Sequence, residues 1–78
     1  MPNEHLTDTI AAYIRDTDGD NRMAADVLGW RIAEHLTTLG RPIPPAACST
    51  FVRDINADKQ MGASTLAANI TDRFNLPY

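Results

Sequence analysis

A chain of 78 residues and 8.6 kDa is one domain near the lower size limit for a stable single core. Apolar residues make up 44 %, but 11 of the 34 are alanine, so 23 larger side chains must build the core and few remain to line a deep substrate pocket. The net charge of −3 and pI of about 5.0 supply no global field for nucleic acid or an anionic membrane.

The first helix is predicted over about 7–16. Leu6, Ile10, Tyr13, Ile14 and Thr17 fall on one stripe, and a polar turn, Asp18-Gly19-Asp20-Asn21, follows. The second helix carries the strongest pattern, Ala25, Leu28, Gly29, Ile32 and Leu36. It opens through a hydrophobic staple, with Met23 at N′, Ala24 at the N-cap and Leu28 at N4. Residues 37–45 contain Gly40, Pro42, Pro44 and Pro45, a helix stop followed by a stiff connector. This connector is too short to separate two domains. Pro44 and Pro45 suit the first turn of a third helix, whose stripe is Cys48, Phe51, Val52 and Ile55. A second polar turn, Asn56-Ala57-Asp58-Lys59, leads to a fourth helix with Ala63, Leu66, Ala67, Ile70 and Phe74 on one side.

These elements come in two copies. Residues 13–36 and 51–74 align without a gap at an offset of 38, with seven identities in 24 positions, among them Arg15/Arg53, Asp16/Asp54, Asp20/Asp58, Met23/Met61 and Leu28/Leu66. Chance at ordinary composition gives roughly one or two. The expected fold is therefore all-α, a single four-helix domain over 1–78 built from two similar helical hairpins, about 7–36 and 45–74. A lone hairpin cannot bury its stripe, so the two should close on one another, with an approximate two-fold relation between them. The small residues at 25/63 and 29/67 are expected to let the two helices within a hairpin approach closely.

Motifs for chemistry are sparse. Asp16-Thr17-Asp18-Gly19-Asp20 resembles the start of a calcium loop, but Asn21 stands where that loop needs glycine and Val27 where it needs glutamate. His5 and His35 lie 30 residues apart without a ligand-like spacing and are expected at the surface. The single cysteine, Cys48, reads as a small core residue in a reducing compartment. With no membrane-length apolar run and no signal-peptide layout, a cytoplasmic location is expected. No cofactor, metal or small-molecule substrate is indicated, and no acid, base and nucleophile constellation points to an enzyme. Arg15 and Arg53 are expected to brace their own turns through Asp20 and Asp58.

Two surfaces could carry function. A helix-turn-helix DNA reader would use Lys59, Gln60, Ser64, Thr65 and Asn69 as a polar reading face. Against it, the seven basic residues are scattered among ten acids, where a DNA reader usually shows a basic cluster. The other surface is the back of the second helix, where Met23, Val27 and Trp30 form an extra apolar face; Met61, Thr65 and Ala68 stand there in the second copy. Either that face is buried, under a tail such as Leu76-Pro77-Tyr78, or it is open to a partner. In so small a protein burial of Trp30 is favoured, because a tryptophan is costly to leave wet.

The segment from Asp18 to Gly29 (Asp-Gly-Asp-Asn-Arg-Met-Ala-Ala-Asp-Val-Leu-Gly), with its echo Gln60-Met-Gly-Ala-Ser-Thr-Leu-Ala, resembles a motif of small uncharacterised proteins of actinobacteria and their phages. The resemblance implies a bacterial or phage cytosolic protein and brings no activity, ligand or catalytic residue with it. From the residues themselves, the expected function is a non-enzymatic regulatory or interaction module. It would act through helix faces on a protein partner or a second copy of itself, with Met23, Val27 and Trp30 as the contact face. The alternative is a helix-turn-helix DNA-binding regulator.

Overall fold

A computed structural model describes residues 6–76. Among these residues there are four helices and no strand: α1 (Leu6–Asp18), α2 (Ala25–Thr38), α3 (Pro45–Ile55) and α4 (Ala63–Arg73). This is the expected all-α four-helix domain, with α1 longer than its predicted span at both ends.

Each stripe turns inward. Ile10 and Ile14 of α1, Leu28, Ile32 and Leu36 of α2, Cys48 and Val52 of α3, and Leu66, Ala67 and Ile70 of α4 are buried in one cluster, with Ile43 of the connector added. Leu6, Tyr13, Phe51, Ile55, Ala63 and Phe74 pack on it partly buried. The helices pair across the hairpins. α2 lies along α3 and α1 along α4, whereas contacts of α1 with α2 and of α3 with α4 are sparse.

Gly29 shows why α2 and α3 lie so close. A Cβ on it would stand 2.7 Å from both the Cys48 carbonyl oxygen and the Ser49 Cα. Nearby, Ser49 Oγ donates to the Asp26 carbonyl at 2.7 Å. The close approach anticipated at Gly29 thus exists, but against α3 and not against its hairpin mate α1. Spacing shows that a position must be small; it does not show which helix requires it. Gly29→Ala would gain about 1 kcal/mol of helix propensity and force a methyl into backbone. A net loss of about 1–3 kcal/mol is expected from the overpacking, read as a lower denaturant midpoint with unchanged m-value.

Within each hairpin a ring bridges the helices at positions 38 residues apart. Tyr13 stacks on His35 with centroids 4.1 Å apart and planes at 6°. Phe51 lies under the guanidinium of Arg73, 5.9 Å from the ring centroid. His35 is thus half-buried against a ring, where a plain surface position was expected; His5 falls outside the described residues. Phe51 also meets Phe74 edge-on at 6.0 Å. Between α1 and α4, the buried Thr71 hydroxyl donates to the Ala67 carbonyl at 2.6 Å, which leaves Thr7 to donate to it at 2.9 Å.

Ends and turns follow local chemistry. α2 closes with Gly40 at φ +77°, its N–H bonding Thr37 O while Arg41 N–H bonds Leu36 O, the paired pattern of a left-handed helix stop. α4 closes the same way around Asn75 at φ +56°, with Leu76 N–H reaching Thr71 O. Ala24 and Gly62 are the N-caps of α2 and α4, neither with a side-chain cap bond. Met23 and Met61, just before them, are partly buried against the core. That is the geometry expected of a staple.

Candidate interaction surface

The two inter-helix turns lie side by side and lock together. Asn21 and Lys59, 38 residues apart, both adopt left-handed backbone, at φ +60° and +58°. The Asp18 carboxylate accepts the Met23 N–H at 2.8 Å, as the Asn56 side-chain oxygen accepts the Met61 N–H at 3.0 Å. Asp18 and Asn56 are both buried. The exposed acids Asp20 and Asp58 close the tips by accepting the Arg22 and Gln60 N–H groups, as expected for turn residues. Two bonds then cross between turns: Lys59 Nζ meets Asp18 Oδ2 at 2.5 Å, and Asn21 Nδ2 donates to the Lys59 carbonyl at 2.8 Å. A cleft of about 320 Å³ lies here, bordered by Arg15, Asp18, Lys59, Met61, Leu28 and Leu66 among others.

This arrangement corrects the expected role of the arginines. Arg15 does not brace Asp20; its guanidinium donates to Ser64 Oγ at 2.7 Å, on α4. Arg53 pairs loosely with its neighbour Asp54 at 3.6 Å, and Asp20 is met by Arg22 at 3.8 Å. Cys48 lies fully buried, and burial pushes its thiol up to about 12. It is therefore protonated and inert at neutral pH. Among the described residues, no group of three or more His, Cys, Asp or Glu side chains could hold a metal ion. No helix there is long and apolar enough to cross a membrane.

The residues of the DNA-reading alternative do not act as one free face. Gln60, Ser64, Thr65 and Asn69 are exposed, and Ser64, Thr65 and Asn69 border a broad shallow depression with Ala68 and Asp72 on α4. Lys59, the cation of that set, is held by Asp18. Ser64 is engaged by Arg15, and Asn69 Nδ2 donates to the Thr65 carbonyl at 2.8 Å.

The back of α2 divides. Met23 turns onto the core, but Val27 is 43 % and Trp30 45 % exposed. The favoured burial of Trp30 is therefore overturned; Pro77 and Tyr78 of the tail invoked to cover it lie outside the described residues. The reason is geometric. Leu28, Gly29, Ile32 and Leu36 occupy one face of α2, and Val27 and Trp30 sit opposite the Leu28–Gly29 edge at 100° per residue. With Asp26, Arg31, Glu34 and Ser49 they border a shallow groove of about 450 Å³. The flanking charges Asp26 and Arg31 went unnoticed in the sequence. Their position on either side of Val27 and Trp30 was the available signal.

Comparison of the chain with known protein families, with curated proteins and with solved structures finds no match.

Proposed function

We propose that this chain is a non-enzymatic interaction module that binds a protein partner through the outer face of α2, centred on Val27 and Trp30. The observation that carries this reading is the exposure of Trp30, 45 %, beside Val27 in a chain whose other stripes turn inward. Water contact at a large aromatic ring is unfavourable, and such rings anchor interfaces disproportionately. The aligned face of α4 has Thr65 and Ala68 instead, so the core pattern alone does not demand these side chains. A regulatory role, a cytosolic location and a bacterial or phage source belong to the same proposal.

The test is Trp30→Ala. Association should weaken by about 2 kcal/mol or more, while the denaturant midpoint stays close to that of the parent, since a half-exposed ring contributes little to the core. A loss of about 3–5 kcal/mol of stability, the cost of removing a core tryptophan, would show that the ring serves packing instead. The DNA-binding alternative draws on the exposed Thr65 and Asn69 of α4. Duplex affinity falling steeply with salt, and insensitive to Trp30→Ala, would replace the first reading with that one.

A further inference from the structure

We infer that the partner of the α2 face is a second copy of this chain. This rests on the reading of Val27 and Trp30 as an interaction surface and adds the identity of its occupant. The charges around the groove are complementary to themselves. Asp26 and Arg31 lie on opposite flanks of the apolar pair, at about 70° to either side of its centre on a helix turning 100° per residue. All four of these side chains are exposed. Neither Asp26 nor Arg31 makes an ion pair with another described residue.

A two-fold axis running along the line of Val27 and Trp30 carries each Asp26 onto the Arg31 of the other copy and apolar surface onto apolar surface. Such an isologous contact needs one self-complementary patch. The groove supplies an acid, two apolar groups and a base in the order that this symmetry demands. The aligned positions in α4, Ser64, Thr65, Ala68 and Asn69, have neither the charges nor the large apolar groups. The pattern therefore belongs to one helix of the chain, which fits a closed dimer better than an open chain of copies.

Charge exchange tests the occupant directly, by sedimentation across a concentration series. The parent chain should dimerise, and Trp30→Ala should weaken the dimer roughly 30-fold. Asp26→Arg alone and Arg31→Asp alone each set like charges against one another across the axis, and each should be monomeric where the parent is dimeric. An equimolar mixture of these two single variants restores both opposite-charge pairs and should associate again, as should the double variant with itself. A parent chain that stays monomeric at several hundred micromolar overturns the inference. In that case, a defined protein ligand lost on Trp30→Ala would leave the interaction surface standing without self-association. A parent dimer indifferent to Trp30→Ala and to both charge variants overturns the inference and the surface reading together.

Discussion

Lys59→Met is expected to destabilise the fold by about 3 kcal/mol, far more than a substitution at an inter-helix turn normally costs. The change keeps most of the side-chain stem and removes only the ammonium, so the effect isolates the charge. The Asp18 side chain is 2 % exposed and Lys59's 17 %. One Asp18 oxygen is used by the Met23 N–H and the other by Lys59. Without the ammonium, a buried carboxylate oxygen faces no donor, and breaking a buried pair from one side costs about 3–5 kcal/mol. The partial exposure of Lys59 places the expectation at the lower end. Asp18→Asn should cost less than Lys59→Met. Its amide oxygen can still accept the Met23 N–H, as Asn56 does for Met61, and the ammonium left behind can turn to water. Chemical denaturation of the two variants reads the ordering directly. Equal stabilities of Lys59→Met and the parent would mean that the turns are held together by the Asn21 bond and by packing alone.

Much of the fold was legible because apolar spacing needs only neighbours in sequence. Ile10, Ile14, Leu28, Ile32, Leu36, Cys48, Val52, Leu66 and Ile70 were all placed on inward stripes and are all buried. Met23 and Met61 were legible for the same reason, since a staple depends on residues five apart. The pairing of helices was not. Gly29 signals a close neighbour and is silent on whether it is α1 or α3. Contacts that cross between turns were equally hidden: Asp18 and Lys59 are 41 residues apart, and both look like ordinary solvated turn residues. Their alignment with Asn56 and Asn21 held a partial clue, because Asp18 and Asn56 share an acceptor at one register position and both use it. For Trp30, reasoning from the cost of a wet ring favoured burial and missed the geometric limit. A helix that buries one face in a domain this small presents its opposite face outward. The candidate surface was thus named correctly at Val27 and Trp30 as residues but not in its exposure, and Met23 belonged to the core.

Leu66→Ala and Leu28→Ala test the centre of the fold. Both leucines are 1 % exposed, one in each hairpin at positions 38 residues apart, and truncating a buried leucine costs about 2–5 kcal/mol. A small domain has only about 5–15 kcal/mol in total, so either change alone should lower the melting temperature by on the order of 10 °C or more. Both side chains also border the cleft between the turns, and that sharpens the expectation. A site beside an existing space cannot collapse around the missing methyls from all sides, so the cavity cost should persist and not relax away. Sites that share one cavity rarely act independently. The double variant is therefore expected to depart from the sum of the single ones, by about 0.5 kcal/mol or more in a double-mutant cycle. Additive losses would mean that the leucines support separate packing units, one on the α2–α3 side and one on the α1–α4 side. Midpoints unchanged by either substitution would overturn the central position assigned to the stripe.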